Sequence, residues 1–164
     1  MRTTYGATMV ATLIVLAGGS AGAQEVAGAA KVAGVYELTE VNGQSLPAPA
    51  WHRASADSTC VTVQHTGSLS LDAHGRWAAT MSERDRCNMS FGRRLVKPDV
   101  ATMFAGRFKV DGSAIELVDD MLGGGTLVGT VAGGTIVLDA PGVGELTGQR
   151  ATYTLKRVRE ARGY

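Results

Sequence analysis

The residues able to do chemistry here are few: three histidines, two cysteines, and scattered carboxylates and serines. A zinc site needs several ligands converging, usually with a short-spaced pair to fix them. His52, His65 and His74 are far apart in sequence, and His74 stands in a turn, so they point to no metal. No serine sits in a Gly-x-Ser-x-Gly elbow ahead of a helix, the setting that exposes a nucleophile. Gly123-Gly124-Gly125 precedes no helix and reads as a turn rather than a phosphate loop. The carboxylates fall mostly on outward positions or turns, which leaves no acid–base pair. Catalytic residues, metal ligands and cofactors are therefore expected to be none, and the chain is not expected to be an enzyme. Asn88-Met89-Ser90 matches a glycosylation sequon, a pattern too frequent by chance to carry weight.

Cys60 and Cys87 lack the Cys-x-x-Cys spacing that activates a thiolate. In an exported chain they read as a structural disulfide closing a loop of about 28 residues, worth on the order of 3–4 kcal/mol. Export is read from the leader. Arg2, an apolar run from Met9 to Ala17, and Ala21-Gly22-Ala23 describe a secretory signal peptide over residues 1–23. The run is too short to span a bilayer, and no cysteine near the junction offers a lipid site, so no membrane anchor is expected. The expected location is periplasmic or secreted.

Cleavage after Ala23 removes one of 16 basic residues and none of 15 acidic ones, leaving a neutral chain. Zero net charge argues against a nucleic-acid partner. Charge is nonetheless segregated: the charged residues of Arg84–Lys109 are mostly basic, those of Asp111–Glu145 are all acidic, and those of Arg150–Arg162 are mostly basic again. Such a surface either orients a partner or is simply solvated.

The elements that must hold these residues are short strands. Within Val35–Val41, Tyr36 and Leu38 point one way and Glu37 and Thr39 the other, the period of a half-buried strand. Asn42-Gly43 accepts positive φ and reverses the chain. Ser45–Asp57 reads as a long connection across one barrel mouth, with a short helical turn near Ala50–Ala54. Val61, Val63, His65, Gly67, Leu69 and Leu71 share one parity, which predicts one long strand bent at Gly67 with Cys60 facing outward. The third strand is Arg76–Ser82, with Trp77, Ala79 and Met81 inward. Glu83–Val100 has no clean period and reads as the longest irregular loop, tied by the disulfide to the second strand. Strands follow near Thr102–Val110 and over Ala114–Val118, Thr126–Val131, Thr135–Asp139 and Arg150–Val158. Residues 24–31 are Ala/Gly-rich and read as a flexible arm, residues 32–158 as the domain, and residues 159–164 as a fraying tail. The fold class is all-β: an eight-stranded antiparallel up-and-down barrel, which closure spares from exposed edges.

A resemblance rests on particular residues. Gly34-Val35-Tyr36, Leu38, Val41-Asn42-Gly43 and Leu46-Pro47 resemble the opening of the small secreted lipocalin-like barrels of bacteria. The pattern recurs at Gly67-Ser68-Leu69-Ser70-Leu71, Gly75-Arg76-Trp77, Gly106-Arg107-Phe108, Gly129-Thr130-Val131 and Tyr153-Thr154-Leu155-Lys156-Arg157. True lipocalins carry Gly-x-Trp on the first strand and an arginine of the last strand packed across that ring. Tyr36 and Arg157 hold those places here.

Two functions follow as expectations. The resemblance implies a binding module for a small apolar ligand, lined by Tyr36, His65, Trp77, Met81, Phe108 and Tyr153. His65 is either a polar anchor there or a hydrogen-bonded core residue, and Trp51 either caps a mouth or touches a partner. The alternative is an envelope protein-interaction module, such as an inhibitor of a secreted hydrolase. Its surface would be the Glu83–Lys97 loop with Arg84, Arg86, Arg93 and Arg94.

Overall fold

A computed structural model describes residues 28–120, 125–142 and 144–160. The leader over residues 1–23 and the last four residues lie outside them. Eleven strands follow one helical turn, α1, at residues 28–32. They are β1 Gly34–Val41, β2 Gln44–Ser45, β3 Ala48–Ala54, β4 Ser58–Leu71, β5 Arg76–Met89 and β6 Arg94–Val96. After these come β7 Val100–Asp111, β8 Ala114–Asp119, β9 Thr126–Ala132, β10 Thr135–Pro141 and β11 Arg150–Glu160.

Eight of these strands close a barrel. Neighbours run β1, β11, β10, β9, β8, β7, β5, β4, and β4 returns to β1 through the Gly34–Leu71 to Glu37–Ser68 pairs. All the pairings are antiparallel, so the meander predicted from alternation is the fold. Its interior carries an apolar cluster of buried side chains. Tyr36, Leu69, Leu71, Leu117, Ile136 and Leu155 are fully buried within one apolar cluster. Burying each such side chain is worth roughly 1.5–3 kcal/mol. At Gly129 the strands approach so closely that an added Cβ would lie 1.9 Å from the Val137 carbonyl oxygen on β10.

The expected N-terminal arm is corrected where it is described. Residues 28–32 form α1, and Ala29 and Val32 are buried in the barrel cluster. Between α1 and β1, the Tyr36 hydroxyl donates to the Val32 carbonyl at 2.6 Å. It accepts from Arg157 Nη2 at 2.6 Å and Nε at 3.0 Å. The guanidinium carbon lies 5.2 Å from the ring centroid, and Nη2 also donates to the Lys31 carbonyl. The first and last strands are thus locked to the helix through one aromatic.

Three further expectations are corrected. The connection Ser45–Asp57 contains β3, a strand rather than a helical turn. Pro49 is tolerated because β3 is an edge strand, paired only with β4 and bulged between Pro49 and Trp51. The irregular loop from Glu83 is mostly strand: β5 runs to Met89, which places Arg84 and Arg86 on β5 and Arg94 on β6. Alternation in hydrophobicity could not reveal it, because Glu83 and Asp85 line one face and Arg84 and Arg86 the other. The disulfide consequently joins two strands at directly opposed positions, with a Cα–Cα distance of 4.0 Å.

The parity of β4 is also broken, by an insertion at His65. Gln64 pairs with Glu83 and Thr66 with Ser82, so His65 is an inserted residue. Along β5 the pairing is unbroken, and Gly67, Gln64, Thr62 and Cys60 stand opposite Met81, Glu83, Asp85 and Cys87. Thr62 and Gln64 therefore take the inner face, and both are buried. The Gln64 amide bridges the bulge by donating to the Thr66 and Ser82 carbonyls.

Candidate interaction surface

Beyond the barrel, the paired ribbon of β4 and β5 continues away from its turn at residues 72–75, flanked by β3 on one side and β6 on the other. The result is a four-stranded flap, stapled near its tip by Cys60–Cys87.

Its inner face is held by charge. Asp85 accepts from the Thr62 hydroxyl at 2.7 Å and pairs with Arg53 at 2.5 Å and Lys97 at 3.2 Å. Burial works to raise the Asp85 carboxyl, but the hydrogen bonds from Thr62, Arg53 and Lys97 outweigh it and hold the group below its ordinary range. Glu83, one pair closer to the barrel, behaves oppositely. Burial, then the neighbouring Asp85 charge, raises its carboxyl despite Arg53. Tyr153 is pushed up to about 12 by burial and by Glu83, against a hydrogen bond with Trp51.

A raised carboxyl pKa means that the folded state disfavours the charged form, so stability is lost as pH rises through the carboxylate range. Glu83→Gln is accordingly expected to raise the melting temperature at neutral pH. The gain should vanish near about pH 3, where both side chains are neutral. Thermal melts of the two proteins at both pH values check this.

The outer face carries the Arg84–Asp99 pair, with Arg84 Nε donating at 2.6 Å. Beside it runs a groove of about 640 Å³, floored by Pro47, Pro49, Val61 and Val63 and walled by Arg86, Arg94 and Leu95.

The tip is the feature that sequence reading passed over. Ser90–Gly92 form a short 3₁₀ turn in which Phe91 takes φ 75°, a left-handed value rare for a bulky residue. Phe91 is fully exposed, at 101%. The turn is braced beneath it: Ser90 donates both its backbone N–H and its hydroxyl to the Asp57 carbonyl, each at 2.7 Å, and Met89 N–H bonds the Arg93 carbonyl. Of the eight large apolar residues exposed among the described residues, six fall within Met89–Met103. Arg86, Arg93 and Arg94 are exposed around them and have no ion-pair partner among the described residues. A signal was present in the sequence: an aromatic beside glycine inside a basic, otherwise polar run.

The structure brings the four arginines assigned from sequence to one flap and its rim, Arg84, Arg86 and Arg94 on strands and Arg93 in the turn before β6. The six residues assigned to a ligand pocket divide differently. Tyr36, Trp77, Phe108 and Tyr153 belong to the single buried cluster, with Met81 packed against it. His65 stands outside that cluster, half-buried at the bulge, with Nε2 buried and without a partner. Among the described residues no group of histidines, cysteines and carboxylates could hold a metal ion, and no helix is long and apolar enough to cross a membrane.

The comparisons with known proteins agree in their outcome: no family model, no curated protein and no solved structure matches this chain.

Proposed function

We propose that this chain is an extracytoplasmic protein-interaction module, periplasmic or secreted. In this reading it is lipocalin-like in build but works through the outside of its flap. The observation that carries the reading is Phe91: a fully exposed aromatic, in a left-handed conformation, on a turn braced to Asp57 and on the same flap as exposed Arg86, Arg93 and Arg94, which have no ion-pair partner among the described residues. Leaving a large ring in water on an ordered turn gains the fold nothing. Inserting it into a partner's pocket buries it at little further entropy cost, which is how aromatic anchors dominate interfaces. The arginines ask for an acidic rim on the partner, as around the cleft of a secreted hydrolase held by an inhibitor. A carrier for an apolar ligand would need room among Tyr36, Trp77, Phe108 and Tyr153, and these side chains are buried together in one cluster.

The test places a photo-cross-linking residue at position 91 in the exported protein and identifies what is captured. Affinity for that partner is then measured for Phe91→Ala. A loss of about 30-fold, the size of a 2 kcal/mol hot spot, with unchanged melting supports the reading. Undiminished affinity overturns it.

A further inference from the structure

Among the described residues, closure of the barrel leaves a gap beside β7. β7 pairs with β5 along Val100–Arg107, but with β8 only from Gly106 to Asp111. From Val100 to Phe104 the side of β7 that faces away from β5 has no described strand beside it. Backbone groups alternate sides along a strand. The Phe108 N–H points to the Gly75 carbonyl, on the β5 side, whereas the Ala105 carbonyl accepts from Asp120 N–H, on the β8 side. Odd-numbered residues therefore face the gap, and Ala101 and Met103 each direct an N–H and a carbonyl into it.

The opposite edge of the flap is treated differently. On β3 the Gln149 side-chain amide accepts from the His52 N–H at 3.0 Å and donates to the His52 carbonyl, a single side chain standing in for a strand. The β7 edge has no such cover among the described residues, and it exposes Val100 and Met103 at 53% and 68%. An uncharged, apolar, unpaired edge is a template for an incoming strand.

We propose that Val100–Phe104 is a strand-addition site that takes one extended segment of a partner protein, continuing the lane of β8. The proposal rests on the reading that this barrel works through its surface, and it names how the partner is held. A second copy of the chain does not fit. In an antiparallel pair, each copy's β8, which ends opposite Gly106, would occupy the lane needed by the other's residues 94–99. The run Val100–Phe104 carries no charge, so the segment is apolar or uncharged along it. Where it passes Lys97 and Arg94 it should be acidic.

The probe is a synthetic peptide of about six residues, alternating valine and threonine ending in one glutamate, which in the direction of β8 places the glutamate toward Lys97 and Arg94. It is titrated into the isotope-labelled, oxidised protein. Strand addition predicts about tenfold slower amide exchange at Ala101 and Met103. Thr102 and Phe104, already bonded toward β5, should not change. A peptide N-methylated at alternate residues should have no effect. No change at Ala101 and Met103, or an equal effect of the methylated peptide, overturns the proposal. Repeating the titration with Phe91→Ala separates the two readings. Alternating protection that survives the substitution supports the edge whatever the fate of the tip. Absent protection in a protein whose partner binding still depends on Phe91 overturns the edge alone.

Discussion

Tyr36→Ala is expected to cost about 3–5 kcal/mol, the range for deleting a large buried side chain whose site cannot collapse. The ring is wholly buried at the junction of the first strand, the last strand and the helical turn. Its loss opens a cavity and also strands polar groups. Tyr36→Phe isolates that second part. Without the hydroxyl, the Val32 carbonyl loses its donor and Arg157 keeps only the Lys31 carbonyl. Roughly 1–3 kcal/mol is expected from such unsatisfied groups. Arg157→Met combined with Tyr36→Phe should then add less than Arg157→Met costs alone, because both substitutions break the same contacts. Denaturant melts of the parent, the two single variants and the double variant give the coupling directly. Additive losses would show that the guanidinium and the phenol act independently.

Removing the Cys60–Cys87 bond should be nearly as damaging overall, by about 3–4 kcal/mol in the chain-entropy account. For a domain of this size that is on the order of a 10–20 °C fall in melting temperature. Cys60→Ala with Cys87→Ala tests it. The damage should be local at first. The bridge joins β4 to β5 within the flap, whose inner face depends on the Asp85 cluster and whose outer face is largely exposed. Hydrogen exchange should therefore accelerate in residues 58–64 and 83–89 before it changes in Leu69, Leu71 or Leu155. Uniform acceleration would mean that the flap and the barrel unfold as one unit.

What sequence disclosed and what it hid divide on physical grounds. Strands such as Ala114–Asp119 and Thr135–Pro141 bury alternate residues against the core, so hydrophobic period reveals them. The distal half of β5 buries no such stripe. Its faces are set by Glu83 and Asp85 against Arg84 and Arg86, and alternation in the sign of charge was the readable trace. The bulge at His65 is invisible to parity, because inserting one residue turns a consistent apolar register into an equally consistent polar one. Gln64, only 1% exposed, is the residue that pattern reading put on the wrong face. The arginines were legible as a cluster; Phe91 left only a local trace, an aromatic beside glycine in a basic run, and no period to say that its ring is exposed.

The position of the disulfide has a mechanical consequence. A partner pulling on Phe91 applies its force to the turn between β5 and β6, close beyond Cys87. Without a covalent link that force would peel β5 from β4 one pair at a time, the weakest way to break a sheet. The sulfur bridge instead delivers the tension to both strands together and directs it lengthwise into the barrel. Many cross-strand bonds then resist at once in shear. A contact made by this tip should rupture before the sheet that bears it deforms.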